Sequence, residues 1–256
     1  MPYKLVELHM TESIAEIRLN QPAKRNPLSF EMIAELSAAL TEAAQIESWG
    51  IILGANGPAF SAGHDFNDML SRDLAGMRSL IHACSELMQL IQRLPQPVVA
   101  KVQGPAFGAG CQLALSCDLV VASSSASFCT PGGGGGWFCF TPMVALARAV
   151  GRKRALEMLM TGDPISAEQA SEWGMVNRVV PAEQLDAETL DLIRRATRGS
   201  RQMKGIGKQA FYIQIDLDEA RAYQYTTELM ASTGLMADPQ ERMRAFVEKR
   251  TPVLNK

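Results

Sequence analysis

No two cysteines of this chain are spaced for a zinc ligand pair or a dithiol motif. The five present, Cys84, Cys111, Cys117, Cys129 and Cys139, are odd in number and have apolar neighbours. A disulfide framework or a metal site is therefore not expected, and a reducing, cytoplasmic location is. An excess of either charge is also lacking: 25 Lys and Arg stand against 27 Asp and Glu, a net charge of −2. That balance offers nothing to nucleic acid or to an anionic membrane surface. No apolar run follows Met1-Pro2-Tyr3-Lys4, so no secretory signal is expected. The uncharged segment between Lys101 and Asp118 is too short and too rich in Gly and Pro to cross a bilayer. No glycine cluster runs into Gly-Lys-Ser/Thr, which excludes a P-loop.

What is present is a soluble globular composition, with 47% apolar residues, enough for a full-sized core. Residues 3–20 alternate as a hairpin or two strands. Ile33, Leu36, Leu40 and Ala44 recur at helical spacing, which predicts a helix over 29–47. A strand is expected at 50–54, an irregular loop at 55–72, a helix at 73–93 and a strand at 98–102. A short helix from Ala109 to Cys117 and a strand at 118–122 follow. Thr141-Pro142 reads as an N-cap followed by proline at the first helical position, with Gly151 as the stop. Ser166 and Gln169 fit a capping box, and Gly174 ends that helix. Helices are also expected at 182–198, 217–231 and 238–250. Strands and helices alternate over about the first half and helices dominate afterwards, which argues an α/β core with a helical C-terminal region.

Two glycine-rich turns say most about chemistry. Ala59-Phe60-Ser61-Ala62-Gly63-His64-Asp65-Phe66 follows the apolar Ile51-Ile52-Leu53. Gly104 to Ala114 follows Val98-Val99-Ala100. Two such turns can aim two backbone N–H groups at one small anion, and donors fixed in advance stabilise charge as it develops in a transition state.

These segments resemble those of the enoyl-CoA hydratase/isomerase (crotonase) superfamily. The likeness extends to Ser116-Cys117-Asp118, Leu159-Met160-Thr161-Gly162, Ile165-Ser166-Ala167, Gly174-Met175-Val176 and the tail Ala245 to Arg250. The resemblance implies a spiral of ββα turns over residues 1–198 and a helical trimerisation region over 199–256. It implies an acyl-CoA thioester as ligand, no separate cofactor, and a homotrimer or hexamer. By position, the donors are the amides of His64 and Ala109. Lys24 and Arg25 are expected near the CoA phosphates. Ala62, Asp65, Phe66, Gly108, Trp137 and Phe138 are expected around the substrate.

The chain departs from the family where hydratases carry two glutamates. Those positions are Gln112 and Gly132 here. An amide does not titrate and glycine has no side chain, so neither serves as a general base. Gln112 either fills the old acid's volume or orients water or substrate. The glycines 132–136 are either a mobile wall that leaves room for the acyl group or a slack loop. A decarboxylase subgroup of the family has a histidine where His64 stands, but its tyrosine is matched by Phe138. Three functions stay open: a hydratase in label, other enolate chemistry such as decarboxylation, and a non-catalytic acyl-CoA binder or scaffold.

Overall fold

The computed structural model describes residues 3–46 and 48–254. Glu47, at the end of the first expected helix, and residues 1, 2, 255 and 256, at the ends of the two expected regions, lie outside the described residues. The chain opens with the antiparallel hairpin β1 (Val6–Thr11) and β2 (Ile14–Leu19), turned at Glu12 in the left-handed region. In α1 (Phe30–Gln45), the Ser29 hydroxyl accepts from the Met32 N–H at 3.2 Å, so the helix begins at the expected cap. Then come β3 (Gly50–Ala55), α2 (Phe66–Leu70), α3 (Leu74–Arg93), β4 (Val98–Val102), β5 (Ala106–Phe107), α4 (Ala109–Ser116), β6 (Leu119–Ser123) and β7 (Ser127–Cys129). They are followed by α5 (Gly132–Gly135), α6 (Pro142–Val150), α7 (Arg152–Thr161), β8 (Ile165–Ser166), α8 (Ala167–Glu172) and β9 (Arg178–Val180). Four helices finish the chain: α9 (Leu185–Ala196), α10 (Arg201–Gln214), α11 (Glu219–Thr233) and α12 (Ala237–Val247).

The main sheet runs β1-β2-β3-β4-β6-β9, parallel beyond the opening hairpin, and a small sheet runs β5-β7-β8. Alternate side chains of the central strands face opposite ways. Leu53, Val98 and Ala100 join α1, α3 and α4 in the large core, while Ile52, Val99 and Val121 pack on Leu185 and Ile193 of α9. Burial on both faces explains why these strands read as continuous apolar runs. Among the described residues no helix is long and apolar enough to cross a membrane.

One polar cluster ties α10 to this core. Asp118 Oδ2 lies 2.7 Å from Lys208 Nζ and accepts from the Val98 N–H at 2.7 Å, and the Tyr212 hydroxyl donates to Oδ1 at 2.8 Å. Lys208 also donates to the carbonyls of Ile91 and Gln96. Burial pushes the Asp118 carboxyl up and the Lys208 ammonium down, and their contact offsets both.

Three elements differ from expectation. The loop 55–72 contains α2, because the Asp65 carboxylate accepts from the Asn67 N–H at 3.0 Å and starts a helical turn. The glycines are not a slack loop: residues 132–135 form α5, closed by Trp137 N–H on the Gly132 carbonyl at 3.1 Å. The helix α10 is unforeseen, since Gly205 and Gly207 interrupt its pattern, although Ser200 caps it through the Met203 N–H. Thr141 precedes α6 without any side-chain cap, and Pro142 alone marks that start.

Candidate active site

Asn26 organises the first turn. It is fully buried, and its side-chain amide donates to the carbonyls of Asn56 and Ala59, both at 2.9 Å. The Ser61 hydroxyl donates to the Asn26 carbonyl at 2.8 Å and accepts from the Gly63 N–H at 3.2 Å. The Ala62 N–H reaches the Arg25 carbonyl at 2.9 Å, and the Asp65 N–H reaches that of Leu28 at 3.4 Å. The second turn is tied to the first. Phe107 N–H donates to Ser61 O at 2.9 Å and Gly108 N–H to Cys129 O at 2.8 Å.

The ladder skips two amides. Among the described residues, the N–H groups of His64 and Ala109 meet no protein acceptor, whereas those of Gly63, Asp65 and Gly108 do. Ala109 is the first residue of α4, whose opening N–H groups have no partner within the helix. Glycine is what lets the turns meet. Gly63 has φ 93° and Gly108 φ 54°. A Cβ on Gly110 would lie 2.5 Å from the Ser61 carbonyl oxygen.

Both turns line one cavity of about 700 Å³. Of the residues expected to form the site, His64, Ala109, Gly132, Lys24, Ala62, Asp65, Phe66, Gly108, Trp137 and Phe138 line it. Arg25 and Gln112 do not. Arg25 adopts left-handed backbone and serves the turn through its carbonyl. Gln112 is 5% exposed on the inner side of α4, with Oε1 buried and unpartnered. Sequence reading missed Ile81, Cys139 and Phe140 on the wall. Ile81 sits on a helical stripe like a core residue, whereas Cys139 and Phe140 adjoin Phe138 and could have been included on proximity.

Gly132 has no room for a side chain. A Cβ there would overlap the Trp137 carbonyl oxygen and stand 2.9 Å from the Cys139 thiol. Asp65 is the carboxylate lining the cavity among the described residues, and it is engaged as the cap of α2. The His64 ring is mostly buried, with Nδ1 3.3 Å from the Leu28 carbonyl and Nε2 without a partner. Burial holds its pKa below the usual histidine range, so the ring is neutral and Nδ1–H is the donor to Leu28.

Fold and paired turns together define a crotonase-type α/β protein. The chain belongs to the enoyl-CoA hydratase/isomerase family, whose model matches residues 9–256. It is 45% identical over 251 residues to the mitochondrial enoyl-CoA hydratase domain-containing protein 3 of Danio rerio, covering 96% of this chain and 87% of the relative. The crystal structure of human enoyl-CoA hydratase domain-containing protein 3 superposes with TM-score 0.94 at 41% identity, over 98% of this chain and 100% of that one. That of an enoyl-CoA hydratase from Mycobacterium smegmatis gives 0.95 at 39% identity, over 99% and 100%. The expected cytoplasmic location is overturned by relatives from Danio rerio, Mus musculus and Homo sapiens, all named mitochondrial. Free cysteines tell reducing from oxidising surroundings, not one reducing compartment from another.

Proposed function

We propose that this protein binds an acyl-CoA thioester and stabilises its enolate between the amides of His64 and Ala109. The observation that carries this reading is the pair of unpartnered N–H groups, on two interlocked turns, lining one cavity. A thioester oxygen placed there gains charge as the enolate forms. Donors already aligned stabilise that charge without reorganising, typically by about 3–4 kcal/mol per donor. The positive end of α4 adds to the attraction. Lys24 lines the same cavity and suits the phosphates of CoA.

We infer that hydration is slow. General acid–base assistance contributes about 10²–10⁴-fold. The residues at the family's glutamate positions give none: Gln112 lies off the cavity and Gly132 is closed by backbone. Enolate chemistry that needs no added water, such as decarboxylation of a malonyl-type thioester, suits this wall better. A binder without turnover fits the same geometry. A homotrimer or a dimer of trimers is the proposed assembly, supported by the exposed Tyr223, Met230, Phe246 and Val247 on α11 and α12. The names of the relatives support a mitochondrial location.

The test is product analysis by mass spectrometry after incubating the pure protein with enoyl-, saturated acyl- and malonyl-type CoA esters. Loss of CO₂ or a shifted double bond supports enolate chemistry. Rapid formation of a hydroxyacyl-CoA overturns the slow-hydration reading. Binding without turnover selects the binder.

A further inference from the structure

Cys84, Cys111, Cys117 and Cys129 are buried, whereas Cys139 is half-exposed. Cys139 is also the cysteine that lines the main cavity, on the same wall as Gly132, Phe138 and Phe140. Two of the buried thiols are engaged: Cys129 donates to the Gly162 carbonyl at 3.0 Å and Cys117 to that of Leu113 at 3.5 Å. The Cys139 thiol proton has no such acceptor among the described residues, and its sulfur faces the Gly132 N–H instead. Its place depends on Gly132. A Cβ on Gly132 would stand 2.9 Å from the Cys139 sulfur, inside van der Waals contact. The sulfur therefore takes up room in which a side chain at position 132 would begin. Where the family's second glutamate would start, this wall presents a thiol. Burial raises the pKa of that thiol, and the Gly132 N–H offsets part of the rise. The resting group is protonated, and the small thiolate fraction is the reactive form.

We propose that Cys139 is a nucleophile toward α,β-unsaturated acyl thioesters, and that the protein captures such a ligand covalently as a thioether. This rests on the acyl-CoA reading of the main cavity. An enoyl thioester whose carbonyl oxygen lies at the His64 and Ala109 amides is electron-poor at its β-carbon. The thiol first loses its proton to water. A sulfur lone pair then forms the S–Cβ bond, and the π pair moves through Cα onto the oxygen between the two amides. The enolate takes a proton at Cα from water. The sum is addition of S–H across the double bond, with nothing oxidised and no group released. Conjugate addition calls on the same enolate stabilisation as the chemistry proposed above, so the two unpartnered amides serve it unchanged. Water is the competing nucleophile, and it lacks a base, because neither Gln112 nor Gly132 can take its proton.

The test is intact-protein mass spectrometry of the full chain after incubation with crotonyl-CoA, followed by peptide mapping. One equivalent of the whole ester should add, and it should map to Cys139. Butyryl-CoA has no double bond and should add nothing. At about ten times its Kd it should slow labelling by dilute crotonyl-CoA about tenfold, by mass action at the cavity. Labelling should quicken about tenfold per pH unit between about pH 7 and 8.5, as the thiolate fraction grows. Cys139→Ser should not label. Should that variant fail to fold, the map of the wild-type adduct decides by itself. An adduct on any other residue, an adduct on Cys139→Ser, or a rate indifferent to pH or to butyryl-CoA overturns the proposal. Titration calorimetry with butyryl-CoA distinguishes the two readings. Binding of butyryl-CoA with no adduct from crotonyl-CoA overturns the covalent step alone, and no binding of either ester overturns the acyl-CoA reading as well.

Discussion

Gly63 lies so close to Ala109 that a Cβ built on it would stand 3.3 Å from the Ala109 amide nitrogen and 2.9 Å from the Phe107 carbonyl oxygen. The separation of the two candidate donors is thus set by the absence of one methyl group. Gly63→Ala should lower stability by about 1–3 kcal/mol through left-handed strain and contact, and should weaken acyl-CoA binding further by pushing the turns apart. Gly199→Ala is the control, since Gly199 has the same φ of 93° with nothing near its Cβ. Urea unfolding and titration calorimetry on both variants separate the effects. Loss of stability is expected in each, and loss of ligand affinity in Gly63→Ala alone.

The glycines of α5 differ from one another. Gly132 and Gly133 face the carbonyls of Trp137 and Leu159 with no space for a Cβ, whereas Gly135 is open. Gly135→Ala should be neutral or raise stability by up to about 1 kcal/mol, as alanine does in a helical turn. Gly132→Ala should lower it by about 1–3 kcal/mol. Thermal unfolding reads both. It follows that Gln112→Glu with Gly132→Glu will not recover hydration, because the second glutamate displaces the wall it is meant to sit on. Hydroxyacyl-CoA formation by that double variant would show that the wall yields.

Lys208 and Asp118 hold α10 against the strand β4. Lys208→Met leaves a buried carboxylate without its counter-charge, a change that costs about 3–5 kcal/mol. Adding Asp118→Asn should restore part of that loss, and urea unfolding of the two variants gives the comparison. Equal stability of wild type and Lys208→Met would mean that the Tyr212 and Val98 contacts suffice.

His64 makes stability fall in mild acid. Burial lowers its pKa in the folded state, so folding favours the neutral ring. That contribution is complete above the unfolded pKa of about 6.5 and is lost as the pH falls toward the lower folded value. The Asp68 carboxylate nearby is held by the Phe30 N–H and by Arg72. Between about pH 6.5 and 5, the melting temperature of the wild type should drop a few degrees more than that of His64→Asn. Parallel curves would remove His64 as the cause.

Much of this architecture was legible because local signals and burial agreed. Ser29, Pro142 and the capping box at Ser166 each mark a true helix start, and the apolar runs of β3, β4 and β6 are strands covered on two faces. Where a local signal was weak, tertiary contact decided. The helix α10 survives two internal glycines because Lys208 and Tyr212 reach Asp118, a partner some ninety residues earlier in the chain. The glycine run is a helical turn in which the carbonyls of Trp137 and Leu159 leave no room for a Cβ at Gly132 and Gly133. Arg25 and Gln112 were expected at the site by position in the chain, but neither lines the cavity: Arg25 serves the turn through its carbonyl and Gln112 is buried in α4. Cavity walls such as Ile81 depend on which face of α3 looks outward, a choice that spacing alone does not make.

The contacts that Asn26 makes with Asn56, Ala59 and Ser61 span 30 to 35 residues, and the second turn waits on the carbonyl of Cys129. Contacts of that separation form late in folding, after the loops between them have closed. A nascent chain that stops before residue 129 therefore has no paired amides to offer. The anion-accepting geometry comes into being with the native state as a whole, and a ligand spanning the two turns binds that state alone. Such a ligand would hold four distant stretches of chain together at once, and its concentration would set how much stability the native state gains.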